Sequence, residues 1–165
     1  MKTGIFYGST TGVTADIARR IATILGLNDT DIHDVARTAP DSLADYDLII
    51  AGSSTWGNGE IQDDWYDFLD GAQALDLRGK TIALFGDGDE TMRDTFCAAI
   101  AVLRRRLADT GARFSGEFPA SAYSFDSSPA LLTDGNMAGL ALDNVNHPEL
   151  SDDRIRQWLK TIIPA

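Results

Sequence analysis

The chain has 165 residues, a length sufficient for one domain with a sizeable core, and we expect residues 1–165 to form a single domain. Its 14 basic and 25 acidic residues give a formal net charge of −11. This balance argues against a nucleic-acid or membrane surface, because phosphates would be repelled, whereas a basic protein partner is compatible with it.

The start of the chain and its cysteine content exclude further classes of protein. The N-terminus lacks the charged and then apolar pattern of a signal peptide, and no apolar run reaches the roughly 18–20 residues that span a bilayer. The single cysteine, Cys97, permits no internal disulfide, and the sequence contains no Cys/His cluster with metal-ligand spacing. We therefore expect a cytoplasmic protein, in which any redox chemistry must come from a bound cofactor.

Apolar residues alternate between short continuous runs, typical of buried strands, and helical spacing such as that of Ile17, Ile21 and Leu25. In chain order the sequence predicts strand 2–7, helix 12–25, strand 31–35, a brief helix near 42–45, strand 48–52, helix 61–71, strand 81–85, helix 92–108, strand 113–118, a polar stretch over 120–136, strand 137–142 and helix 151–163. This alternation implies a parallel sheet between helix layers, with ligands at the carboxyl ends of the strands. The polar stretch looks inserted. Cys97 lies beside an apolar stripe, which predicts a buried structural thiol.

A hydroxyl-rich loop follows the first strand, with the sequence Gly8-Ser9-Thr10-Thr11-Gly12-Val13-Thr14. Its hydroxyls, its glycines and the helix start that follows suit the binding of a phosphate. The loop has no lysine, which separates it from the phosphate loop of nucleotide hydrolases. Taken alone, it leaves open an ordinary N-capped helix start.

Two further loops follow predicted strands and should converge with the first on one site. One is Thr55–Glu60, which carries Trp56, and the other is the acidic stretch 86–94. Between Glu60 and Asp94 the chain has ten acidic residues against Arg78, Lys80 and Arg93. The charge alone is compatible with a solvated face or with a docking surface. The three loops together suit an aromatic cofactor with a phosphate tail.

In their order and spacing these motifs resemble the long-chain branch of the flavodoxin family over essentially the whole chain. The matching segments are 8–14, 54–65, 86–90 with Phe96, 123–126, 139–143 and 151–155. The resemblance implies a three-layer αβα sandwich around a five-stranded parallel sheet of order 2-1-3-4-5. It also implies that an insertion at about 119–137 interrupts the last strand.

The resemblance further implies a site for non-covalently bound FMN, with no catalytic residue and no metal ligand. Trp56 would stack on one flavin face, Asp89 would meet the pyrimidine edge, and the Gly57-Asn58 peptide would flip to accept a hydrogen bond from reduced N5. The cofactor-binding residues implied are Ser9, Thr10, Thr11, Gly12, Val13, Thr14, Ser54, Thr55, Trp56, Gly57, Asn58, Gly59, Gly88, Asp89, Met92 and Phe96.

Two departures from the family pattern concern this site. Met92 stands where the family usually places a tyrosine over the second flavin face, in a loop about one residue shorter than in many members. A thioether can cover an aromatic face, but with less area than a ring, so we expect weaker FMN binding. Val13 stands where many relatives have asparagine, which removes a side-chain donor.

As function, the resemblance implies a low-potential one-electron carrier that shuttles between semiquinone and hydroquinone. The alternative is an FMN-dependent NAD(P)H:quinone reductase on the same scaffold. A phosphoacceptor receiver domain is disfavoured, because Gly8-Ser9-Thr10 and Ser53-Ser54-Thr55 stand where receivers need aspartates. The implied partners are redox proteins with basic docking patches: NAD(P)H-flavodoxin/ferredoxin reductase, low-potential oxidoreductases and, among the candidates, a nitrogenase reductase. We expect a monomer that binds neither nucleic acid nor membranes.

Overall fold

A computed structural model of the chain describes residues 1–92 and 94–165. Arg93, one of the basic residues counted in the acidic stretch, lies outside the described residues. The strands are β1 (Thr3–Gly8), β2 (Ile32–Asp34), β3 (Leu48–Trp56), β4 (Glu60–Ile61), β5 (Thr81–Asp87), β6 (Arg113–Ser115), β7 (Phe118–Pro119), β8 (Asn136–Met137) and β9 (Leu140–Leu142). The α-helices are α1 (Val13–Leu25), α2 (Asp64–Ala72), α3 (Ala98–Leu107) and α4 (Ser151–Ile162). Short 3₁₀ helices lie at Asp29–Asp31, Val35–Arg37, Pro40–Asp45, Ala108–Thr110, Ala120–Ala122 and Pro148–Leu150.

The main sheet has the predicted strand order, and two short strands share its fifth position. Its strands run β2-β1-β3-β5, and both β6 and β9 then pair with β5 in parallel. β6 pairs with the first half of β5, and β9 pairs with Phe85, Gly86 and Asp87 in its second half. The parallel sheet with an interrupted last strand is therefore confirmed. The two-residue strand β4 adds an antiparallel pair to the end of β3, which the sequence did not predict.

The segment between β6 and β9 leaves and re-enters the sheet at a small antiparallel ladder. Phe118 pairs with Met137, and Pro119 pairs with Asn136, so that β7 and β8 close the base of the segment. Gly139 follows, where the chain passes so close to the main sheet that a Cβ would lie 2.3 Å from the Leu84 carbonyl oxygen. The inserted segment is thus fastened at both ends.

The two faces of the sheet are covered by separate helix pairs. On one face α1 and α4 contribute Ile17, Ile21 and Trp158 to a buried cluster. On the other face α2 and α3 contribute Trp65 and Leu103, among others, to the second cluster. In the described part of the chain, no helix is long and apolar enough to cross a membrane.

Two helices begin later than the sequence predicts. α2 begins at Asp64 rather than at residue 61, because Ile61 pairs with Thr55 in the β3–β4 ladder. α3 begins at Ala98 rather than at residue 92, because Cys97 adopts a left-handed φ of 52°, which no continuous α-helix accommodates. Cys97 is fully buried, as predicted, and desolvation raises the pKa of its thiol well above the usual range.

Candidate functional site

Two adjoining clefts open at the carboxyl ends of β3 and β5, where the sequence predicts a site. Both are lined by Thr55, Trp56, Gly88 and Asp89. The cradle-side cleft, of about 190 Å³, is completed by Thr11, Val13, Ser54, Asp87 and Val145. The Met92-side cleft, of about 160 Å³, is completed by Gly57, Met92 and Thr95. Three loops that are distant in sequence thus meet at one edge of the sheet.

The loop from Ser9 to Thr14 forms a cradle of neutral donors at the start of α1. Gly12 has a φ of 93°, a conformation that glycine adopts easily, and it turns the chain into the helix. The Ser9 Oγ accepts hydrogen bonds from the backbone N–H of Gly12 at 3.1 Å and of Ala15 at 3.4 Å. Since its lone pairs are used in this way, the Ser9 hydroxyl proton is left to donate to a ligand. The helix N-terminus adds further donors and a positive dipole end, which suit a phosphate without any cation.

The cradle is tied to β3 by a pair of hydroxyls. The Thr14 Oγ1 and Ser54 Oγ lie 2.5 Å apart, and the Thr14 side chain is almost fully buried. This bond joins the first turn of α1 to the end of the neighbouring strand. It holds the first and second of the three loops in a fixed relation.

Trp56 lies at the tip of a hairpin formed by β3 and β4. Its side chain is 38% exposed, a large fraction for a tryptophan, and it lines both clefts. Gly57 has a φ of 49°, and the N–H of Gly59 donates to the Trp56 carbonyl oxygen at 3.1 Å. The hairpin therefore presents an indole face that an aromatic ligand can stack on.

The loop after β5 forms the opposite wall and is fixed by Asp89. Its Oδ1 accepts hydrogen bonds from the N–H of Thr91 at 2.9 Å, from the Thr91 hydroxyl at 2.6 Å and from the Asn146 Nδ2 at 2.8 Å. The two bonds from Thr91, together with that from Asn146, lower the pKa of the Asp89 carboxyl. Asp89 thus remains charged at neutral pH and connects this loop to the segment after β9.

A second carboxylate at this site, Asp87, is not among the site residues that the sequence predicts. It is 8% exposed and lines the cradle-side cleft. Its Oδ1 accepts hydrogen bonds from the backbone N–H and the Nδ2 of Asn144, at 3.1 Å and 2.8 Å. Desolvation outweighs these bonds and raises the pKa of Asp87 to about 6, with the nearby Asp143 adding to the effect.

The structure brings most of the predicted residues to the clefts or the cradle, with three exceptions. Asn58 and Gly59 form the turn behind Trp56. Phe96 is only 1% exposed and stacks on Phe125 beneath the loop, with ring centroids 5.3 Å apart. Thr95 and Val145 also line the clefts, although the sequence does not predict them as site residues. Val145 is 67% exposed and follows β9. The pairing of β9 with β5 brings Val145 beside the cradle.

The described residues contain no group of three or more His, Cys, Asp or Glu side chains placed to hold a metal ion. What the arrangement offers is a phosphate-sized cradle of neutral donors next to an exposed indole and an acidic loop. These features suit an aromatic ligand with an anionic tail.

Comparison with known proteins agrees with this geometry. The family model described as "Flavodoxin" matches residues 5–158. The chain is similar to a protein named flavodoxin 1 from Shigella flexneri, with 41% identity over 160 residues that cover 96% of this chain and 91% of the relative. It is also similar to a flavodoxin from Picosynechococcus, with 38% identity over 166 residues that cover 99% and 97%. Among solved structures, a flavodoxin from Fusobacterium nucleatum bound to flavin mononucleotide matches with a TM-score of 0.89 and 28% identity, over 97% of this chain and 96% of the other.

Proposed function

Because the chain belongs to the flavodoxin family, we propose that its cradle and its two clefts form the binding site for FMN. The protein is an electron carrier rather than an enzyme, and FMN is its cofactor. When bound, FMN supplies the redox centre. The observation that carries the assignment to this site is the convergence of Trp56, Asp89 and the cradle at one edge of the sheet.

In this site the cradle holds the phosphate through neutral donors. Ser9 and Thr10 offer hydroxyls, and Val13 and Thr14 offer backbone N–H groups at the start of α1. Because no cation neutralises the phosphate, its charge remains near the ring. Together with Asp89 it makes the addition of negative charge to the ring unfavourable, which favours a low potential for the second electron.

The flavin ring lies, in this proposal, between Trp56 and Met92, which line the same cleft. Ser54, Thr55, Gly57 and Gly88 form its edges. Asn58, Gly59 and Phe96 support the two loops from behind, and no residue acts as a catalyst. We take residues 1–165 as one FMN-binding unit that includes the inserted segment.

An anaerobic redox titration of the purified FMN-loaded protein tests this function. We expect two resolved one-electron steps, the second at the lower potential, and no turnover of NAD(P)H by the protein alone. A purified chain that fails to bind FMN would contradict the assignment. Steady-state oxidation of NAD(P)H with a quinone would instead favour a reductase.

The Met92→Tyr variant is expected to bind FMN more tightly than the wild type by about 3- to 10-fold, since a ring covers more of the flavin than a thioether does. Met92 is 49% exposed, so part of the larger side chain can extend into solvent. Quenching of flavin fluorescence on titration of the FMN-free protein measures the affinity. Equal affinities in the two proteins would show that Met92 does not cover the ring.

We further propose that the protein acts as a monomer in the cytoplasm and docks through its acidic face on redox proteins with basic patches. Glu60 pairs with Trp56 in the β3–β4 ladder, and Asp94 lies between the cleft residues Met92 and Thr95, so two exposed carboxylates flank the Met92-side cleft. The exposed carboxylates of Asp63 and Asp67 follow Glu60 along the chain. An NAD(P)H-flavodoxin/ferredoxin reductase and low-potential oxidoreductases fit this description, and a nitrogenase reductase is a further candidate. Such pairs associate through electrostatic steering.

The association rate with a reductase of this kind is expected to fall by about tenfold between 10 mM and 200 mM salt, because ions screen the attraction. Stopped-flow electron transfer at several protein concentrations measures this rate. A rate that is independent of salt would exclude electrostatic docking.

A further inference from the structure

Gln62 lies directly beneath the cradle, at a position that the proposed FMN site does not use. Its side chain is 3% exposed and belongs to the short connection between β4 and α2. The Nε2 lies 3.2 Å from the Thr10 Oγ1 and 2.7 Å from the Asp64 Oδ2. The Oε1 lies 3.1 Å from the backbone N of Asp64. One buried amide thus contacts both the cradle and the start of α2.

The orientation of this amide is fixed by its partners. The backbone N–H of Asp64 can only donate, so the atom that faces it must be the carbonyl oxygen of Gln62. The Asp64 carboxylate can only accept, so the atom that faces it must be the NH₂ group. The opposite amide orientation would create two repulsive contacts in a buried place.

The backbone around the amide leaves it no alternative position. A Cβ built on Gly8 would lie 2.2 Å from the Gln62 Oε1, which shows how closely the first residue of the cradle loop packs on the amide. The N–H of Gln62 itself donates to the Ser53 Oγ at 3.1 Å. Contacts with Gly8 of β1 and Ser53 of β3 therefore hold Gln62 in place.

This arrangement determines which hydrogen bonds the Thr10 hydroxyl can make. Because the Gln62 Nε2 donates, the Thr10 Oγ1 accepts, and its own hydroxyl proton is free to point away from the amide. Thr10 is exposed at the surface of the cradle. We propose that Gln62 is a positioning residue that fixes the hydrogen-bond polarity of Thr10, so that the hydroxyl donates to the phosphate of the ligand. This inference rests on the proposed FMN site.

The Gln62→Met variant tests the proposal, because it removes the NH₂ donor without placing a charge beside Asp64 or the phosphate. The Thr10 Oγ1 then loses the donor that fixes its polarity, and its hydroxyl is no longer held in the orientation that donates to the phosphate. We expect FMN affinity to fall by about 3- to 10-fold, as for the loss of one hydrogen bond. Affinity for riboflavin, which lacks the phosphate, should change less than about twofold.

A double-mutant cycle with Thr10→Val separates positioning from a general structural effect. If Gln62 acts through Thr10, the Q62M/T10V double variant should bind FMN no more weakly than T10V alone. The Gln157→Met variant makes the same replacement at an exposed position of α4, in the other helix layer, and should bind FMN as the wild type does. If Q62M does not fold, Gln62→Leu removes the same donor and enters the same cycle with the same expected result.

Additive effects of the two substitutions, or equal losses for FMN and riboflavin, would overturn the proposal. A wild-type chain that binds no FMN would instead overturn the proposed function. The two failures are therefore distinguishable in the same set of titrations.

Discussion

At pH 7.5 the Asp87→Asn variant of the FMN-free protein is expected to resist unfolding better than the wild type by about 2–3 kcal/mol. Asp87 is buried, and its pKa rises from 3.8 to about 6 in the folded chain, chiefly through desolvation. Its ionised form therefore disfavours folding. Asparagine has nearly the same shape and keeps the oxygen that accepts the two hydrogen bonds from Asn144.

The pH dependence of this difference has a definite sign. The folded state binds the proton more tightly than the unfolded state does, so ionisation destabilises the fold as pH rises from about 4 to above 6. The advantage of the variant should be small near pH 4, about half of its full value at pH 5, and constant above about pH 7. Urea denaturation of both proteins at pH 5 and pH 7.5 measures it. A stability difference between variant and wild type that is the same at both pH values would show that the ionisation of Asp87 does not cause it.

A buried carboxylate that weakens the fold is explained by its place in the cleft. Asp87 lines the cradle-side cleft, which shares Trp56 and Asp89 with the adjoining Met92-side cleft where the ring of FMN is proposed to bind. A negative charge there opposes further reduction of the ring and so lowers the potential of the second electron. The loss of stability and the low potential would then have the same origin, a common compromise at functional sites.

The elements that sequence could predict are those whose pattern is local. Ile17 and Ile21 repeat along one face of α1, and the structure buries both. The continuous apolar run that begins at Leu48 predicts a strand buried on both faces, and it became the centre of the sheet. The cradle was found because its hydroxyls and glycines are adjacent in sequence.

The features that sequence missed depend on residues that are far apart. The sequence before Ala98 has the apolar spacing of a helix, but α3 begins only at Ala98. The Ser128 hydroxyl donates to the Phe96 carbonyl oxygen at 2.5 Å, and the Thr55 Oγ1 accepts from the N–H of Ala99 at 3.1 Å. Contacts from the inserted segment and from β3 thus determine where α3 begins. Asp87 and Val145 meet only because β9 pairs with β5. No local periodicity contains that information.

The return of the chain into the sheet at Gly139 depends on the absence of a side chain. A Cβ at this position would lie 2.3 Å from the carbonyl oxygen and 2.8 Å from the carbonyl carbon of Leu84. Both are backbone atoms of β5, an interior strand of the sheet that cannot move without disturbing its neighbours. Directly after Gly139, β9 pairs with Phe85–Asp87, and the Leu142 carbonyl oxygen accepts from the N–H of Gly88 at 2.9 Å.

The Gly139→Ala variant is therefore expected to lose about 3 kcal/mol of stability, at the upper end of the usual cost of overpacking. Because β9 holds the end of β5, the loop with Gly88 and Asp89 should loosen, and FMN affinity should fall in the same variant. Urea denaturation and flavin titration measure the two effects. The control is Gly135→Ala. Gly135 lies in the inserted segment, its added Cβ would meet only open space, and its φ is 86°. The control variant should therefore lose only about 1 kcal/mol of stability, through backbone strain. Equal losses in the two variants would mean that the carbonyl of Leu84 yields readily, and that β9 does not depend on this close approach.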